Sequence, residues 1–121
     1  MKNRNCILVV DDDQDVLLFL GERLHALGYD VLRAVNGKEG LELLHSQSVD
    51  GVLLDLNMPV MGGMTMLEKL GNLSPSPPVI VMSAIGNRSE LLEAIKKGAL
   101  DWLIKPIDQD ELASKCSRLF K

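Results

Sequence analysis

Asp11, Asp12, Asp55, Ser83 and Lys105 each stand where a short apolar run gives way to polar residues. Their settings are Val9-Val10-Asp11-Asp12-Asp13-Gln14-Asp15, Leu53-Leu54-Asp55-Leu56-Asn57, Val81-Met82-Ser83-Ala84 and Leu103-Ile104-Lys105-Pro106. Carboxylates held close together disfavour one another's ionisation unless a cation intervenes. Oxygen donors of this kind suit a hard divalent ion, Mg²⁺ or Mn²⁺, which keeps some waters and takes few protein ligands. Beside such an ion a carboxylate can attack phosphorus and become an aspartyl phosphate. A lysine then supplies a second positive charge to the phosphoryl oxygens, and a serine a hydroxyl donor. Nucleotide-binding α/β folds place glycines after their first strand to cradle phosphate. This chain places aspartates there, which attract a cation instead.

These residues can meet only if the apolar runs lie side by side. Cys6 to Val10 reads as a buried strand, β-branched and continuous. From Gln14 to Leu27 a helix is expected, with Val16, Phe19, Leu20, Leu24 and Leu27 on its apolar face and Gly28 ending it. Further strands are expected at Asp30 to Val35, Val49 to Leu54, Pro78 to Met82 and Asp101 to Ile104. Helices are expected at Lys38 to His45, Met64 to Leu70, Asn87 to Lys97 and Asp108 to Phe120. Asn36-Gly37 reads as a turn, and Met58-Pro59 through Gly62-Gly63 as a loop. Asn87 followed by Glu90 has the spacing of a capping box. Strand and helix alternating five times argue an α/β fold with a doubly wound parallel sheet. In such sheets ligand chemistry gathers at the carboxyl ends of the strands, where the five residues lie.

With 121 residues the chain is long enough for one domain and one core. Apolar residues make up 46% and aromatics 3%, so that core must be aliphatic. The net charge of −4 argues against direct nucleic-acid binding. Cys6 and Cys116 form no CxxC pattern, which fits a reduced, cytoplasmic setting. The apolar run after Met1-Lys2-Asn3-Arg4 is too short for a signal peptide or a membrane span.

At this point the motifs "ILVVDDDQDV", "GVLLDLNMPVMGG", "VIVMSA" and "DWLIKPI", in this order over essentially the whole chain, resemble the receiver domain of two-component response regulators, in the CheY-like superfamily. The resemblance implies a flavodoxin-like five-stranded sheet in the order 2-1-3-4-5, with residues 1–121 forming one receiver, either alone or as the N-terminal part of a longer response regulator. It implies that Asp55 is the phosphoacceptor, and that Asp11, Asp12, Asp55 and the backbone carbonyl of Asn57 hold Mg²⁺ or Mn²⁺. Ser83 and Lys105 match the phosphoryl-binding hydroxyl and lysine. Trp102 matches the aromatic switch position that works with Ser83. The implied partners are a sensor histidine kinase or phosphotransfer protein, and an output domain or partner met through the face of helix four, strand five and helix five, with a homodimer as a further option. The implied activity is a switch that catalyses only its own phosphorylation and dephosphorylation.

Some positions depart from the commonest pattern. Trp102 stands where Tyr, Phe or His is usual, and Gly62 where an acidic residue is frequent. Ile85, two residues after Ser83, is apolar and is expected to shield the phosphate from water.

Plainer readings compete at several residues. Asp13 and Asp15 fit helix-start acids favoured by the helix dipole. Leu18 lies off the apolar face, as an ordinary exposed leucine or part of a kinase-docking patch. His25 and His45 read as neither ligands nor phosphorylated histidines, and Met58, Met61, Met64 and Met66 read as loop and core filler. A Mg²⁺-dependent aspartyl-phosphate phosphatase would want Asp-x-Asp-x-Thr/Val after the first strand. Asp11-x-Asp13-x-Asp15 does not supply it. A phosphate-independent interaction module would have no use for the full set of Asp11, Asp12, Asp55, Ser83 and Lys105.

Overall fold

The computed structural model describes residues 4–58 and 61–120. The Pro59-Val60 part of the expected loop and the first three residues lie outside them. The strands are β1 (Cys6–Val10), β2 (Asp30–Ala34), β3 (Gly51–Asp55), β4 (Val79–Ala84) and β5 (Asp101–Lys105). The helices are α1 (Gln14–Ala26), α2 (Gly37–Ser46), α3 (Gly63–Leu70), α4 (Arg88–Lys96) and α5 (Gln109–Leu119). All strand pairs are parallel, in the order β2-β1-β3-β4-β5 expected above.

Alternate residues of the central strands feed two cores, because successive side chains of a strand point to opposite faces. Leu8, Val10, Val52, Leu54, Val79 and Val81 pack with Met66, Leu67, Leu91 and Ala94 of α3 and α4, and with half-buried leucines of α2. Ile7, Val9, Leu53, Ile80, Met82 and Leu103 pack with Leu17, Leu20 and Leu24 of α1 and with Leu112 and Cys116 of α5. With both faces covered, β1, β3 and β4 are apolar nearly end to end.

Helix starts follow side-chain caps. Asp13 accepts from the backbone N–H groups of Asp15 and Val16, so it opens α1 as expected. Asp108 caps α5 through the Glu111 N–H at 2.9 Å. Asn36, read as a turn residue, is instead the cap of α2 and accepts from Glu39 N–H at 2.8 Å. The buried stripe of α1 also differs from the expected one. Leu17, Leu20, Gly21 and Leu24 face the sheet, while Phe19 and Leu27 are exposed. Both stripes have helical periodicity; the angle at which α1 lies on the sheet selects between them.

At the amino edge, β3 starts where it must touch the end of α5. A Cβ built on Gly51 would lie 2.4 Å from the ring of Phe120, which is itself 2% exposed. Gly51→Ala should therefore cost about 1–2 kcal/mol, since the ring can shift only against packed neighbours. Urea denaturation checks this, and an unchanged midpoint would count against the contact.

Candidate functional site

The parallel register brings the five residues to one edge. Asp55 is the last residue of β3 and Lys105 the last of β5, while Ser83 is one before the end of β4. Each was expected just past its strand; the strands run a residue or two further because the sheet hydrogen bonds continue through them. Asp11 follows β1 directly, and its N–H donates to the Ala34 carbonyl at 3.1 Å, so the β1–β2 ladder fixes it too.

Asp11 and Asp55 are buried carboxylates, 0% and 2% exposed, whereas Asp12 is exposed at the rim. Oxygens of all three lie within 4.8 Å of one another. Lys105 reaches in from β5, its Nζ 2.8 Å from Asp11 Oδ2 and 3.5 Å from Asp55 Oδ2. Backbone donors hold the other carboxylate oxygens. Asp13 N–H donates to Asp11 Oδ1 at 2.9 Å, and Asn57 N–H to Asp55 Oδ1 at 3.1 Å.

Burial pushes the Asp55 carboxyl up to about 6. The Asn57 N–H opposes that rise, the nearby Asp11 adds to it, and Lys105 opposes it. For Lys105, burial alone pulls the ammonium down. The hydrogen bond to Asp11 and the charges of Asp55 and Asp11 outweigh it, so the lysine stays above its ordinary value.

Three carboxylates and one ammonium leave two negative charges without compensation. A single divalent cation matches that deficit, and the donors are all oxygens, as a hard ion prefers. Ser83 adds a second unmet demand. It is fully buried, and its Oγ has no hydrogen-bond partner among the described residues. Such a group is costly unless an acceptor arrives for it.

Two features were not foreseen from the sequence. Trp102 is turned to the outer side of β5, 38% exposed, beside Arg88, Leu91 and Leu92 of α4. Lys115 holds it there: Nζ sits 5.7 Å from the ring centroid and also donates to the Trp102 carbonyl. The capping box at α4 does not form, because Asn87 makes no side-chain cap bond. Its expected partner Glu90 instead accepts from Asn57 Nδ2 at 3.1 Å. Glu90 is thus a neighbour of the site that the sequence reading assigned elsewhere. Its only sequence signal, the Asn-x-x-Glu spacing, pointed to a local bond.

Residues 7–117 match the family model described as response regulator receiver domain. The chain is 40% identical over 106 residues to transcriptional regulatory protein GlrR of Escherichia coli K12, and 42% identical over 106 residues to ZraR of the same organism. In both cases the match covers 88% of this chain and 24% of the relative, so the chain spans about a quarter of those proteins' length. Among solved structures, a putative response regulator from Chloroflexus aurantiacus superposes with a TM-score of 0.93 at 28% identity, covering 98% of both chains.

Proposed function

This chain belongs to the response regulator receiver domain family, and on that premise we propose that it is a phosphorylation-activated switch whose acceptor is Asp55. One observation supports this above others. The carboxylate that the sequence offers as nucleophile is buried among groups prepared to hold extra positive charge and an extra acceptor.

In this reading an Asp55 oxygen attacks phosphorus. The bond from phosphorus to the donor breaks, and the donor keeps the electron pair. Asn57 N–H and Lys105 aim the carboxylate, and Lys105 then pairs with the phosphoryl oxygens. Ser83 donates its hydroxyl proton to one of those oxygens and gains the partner it lacks. Asp11, Asp12, Asp55 and the Asn57 carbonyl would hold Mg²⁺ or Mn²⁺, which supplies charge neutralisation to the phosphoryl group when bound. Ile85, 78% exposed, keeps in this reading the shielding role expected of it.

The donor is a sensor histidine kinase or a phosphotransfer protein. The new charge at Lys105 and Ser83 biases the surface of α4, β5 and α5, where Trp102 lies, and that surface meets an output domain, a partner or a second copy. The named relatives are transcriptional regulatory proteins, so control of transcription is the output we favour, through residues other than this domain. Residues 1–121 act as one receiver that turns over only its own phosphoryl group. No described helix is long and apolar enough to cross a membrane, in line with a cytoplasmic switch.

Acetyl phosphate with Mg²⁺, followed by intact mass, tests the proposal. We expect a gain of one phosphoryl group that chelator prevents. An unchanged mass would overturn it.

A further inference from the structure

We propose that Glu90 is a positioning residue of this site. Its carboxylate clasps the Asn57 side chain across the mouth between the β3–α3 loop and α4, and so prolongs the life of the aspartyl phosphate. This rests on the reading of Asp55 as acceptor, and names what governs the loss of its product.

Asn57 bonds in two directions at once. Its backbone N–H holds Asp55 Oδ1 at 3.1 Å, and its side-chain Nδ2 donates to Glu90 Oε1 at 3.1 Å. A two-bond path thus joins the nucleophile to the first turn of α4. Glu90 would have had a local use, as partner of the cap residue Asn87. That cap makes no side-chain bond, and the carboxylate serves a residue 33 positions away. The helix start tolerates this because a carboxylate in its first turn still faces the positive end of the helix dipole. Ile85, on the segment between Ser83 and α4, is 78% exposed and offers no polar atom that could replace the clasp.

Hydrolysis sets the lifetime. A water oxygen bonds to phosphorus, the bond from phosphorus to the Asp55 oxygen breaks, and Asp55 regains its charge. The phosphate leaves as H₂PO₄⁻ carrying both water hydrogens. With the clasp closed, the Asn57 carboxamide is fixed at the rim and α4 is tied to the loop, so water enters less often. Among the described residues no hydrogen bond or ion pair runs from Glu90 or the Asn57 side chain to Lys105 or Ser83, so uptake of the phosphoryl group is expected to change little.

The test follows phosphorylation by acetyl phosphate with Mg²⁺, and then loss of the added mass once the donor is removed. Glu90→Ala should lose its phosphoryl group about fivefold faster, the effect of one hydrogen bond, with uptake within about twofold of wild type. Glu90→Gln keeps an acceptor oxygen and should restore a nearly wild-type lifetime. Glu90→Ala combined with Asn57→Ala should decay no faster than the faster single variant, because the two residues act as one unit. A Glu90→Ala lifetime within twofold of wild type, or additive effects in the double variant, would overturn the proposal. A merely structural role would lower uptake and thermal stability as well as lifetime. If wild type gains no mass, the acceptor reading fails. The clasp is then decided by the Asn57 carboxamide proton resonances, which must move in Glu90→Ala; unmoved resonances refute it.

Discussion

Asp55→Asn is expected to gain no mass from acetyl phosphate with Mg²⁺, and to be more stable than wild type in chelator at pH 7. The first effect follows from chemistry. A carboxamide oxygen is neutral and cannot form the acyl phosphate, so uptake should fall by at least about a hundredfold. The second follows from electrostatics. Folded Asp55 takes its proton at about 6, whereas its ordinary value is 3.8. Between those pH values the folded state binds more protons than the unfolded one, so stability falls as pH rises through that window. The full shift corresponds to about 3 kcal/mol, lost progressively from about pH 4 to about pH 6. Asn keeps an oxygen to accept from Asn57 N–H, and Lys105 keeps Asp11 at 2.8 Å. The variant should therefore lack the wild-type decline across that window, and should gain less stability from added Mg²⁺. Urea midpoints at pH 4 and pH 7, with chelator and with Mg²⁺, measure both effects. A variant less stable than wild type at pH 7 would contradict the charge argument, and a variant that still takes up phosphate would contradict the acceptor assignment.

Gly63→Ala should be the most damaging single methyl in the chain's active half. Gly63 opens α3, and a Cβ there would stand 2.3 Å from the Asp55 carbonyl oxygen and 2.5 Å from Leu56 Cα. Both are backbone atoms at the strand end that carries Asp55, so no side chain can swing aside. We expect about 3 kcal/mol of destabilisation, the upper end for overpacking. Phosphoryl uptake should fall too, because the relief available is to push α3 away or to move Asp55. Gly62→Ala is the control. Its nearest new neighbour would be the Met58 carbonyl at 3.5 Å, and its φ of −55° suits any residue. Its midpoint should stay close to wild type. A Gly63→Ala midpoint equal to that of Gly62→Ala would refute the close-contact argument.

The strand ends were legible because a parallel sheet converts position along the chain into position in space. Once five apolar runs were recognised, Asp11, Asp55, Ser83 and Lys105 had to share an edge. Asp13 was legible as a helix-start residue for a local reason, since its cap bonds reach only two and three residues ahead. What escaped depended on neighbours distant in sequence. Phe19 and Leu27 fit the apolar period of α1 as well as Leu17 does, and only the tilt of the helix on the sheet leaves them outside. Glu90 was read as bonding within its own helix, but tertiary packing offered it the Asn57 amide. Trp102 was assigned to a switch by its place before Lys105. Lys115, on α5, decides where the ring rests, and no spacing rule connects the two.

That resting place has an optical consequence. Trp102 is the one tryptophan in the chain, so near-ultraviolet excitation on the red edge of its absorption isolates a single indole. Its ring is partly open to water and lies under an ammonium group. Its emission is therefore expected at long wavelength and open to collisional quenchers, which a steady-state spectrum with added iodide or acrylamide checks. An indole that left Lys115 for a drier place would emit further to the blue and lose that quenching. The chain carries its own unlabelled reporter of whether β5 changes state, three residues from the lysine that meets Asp55.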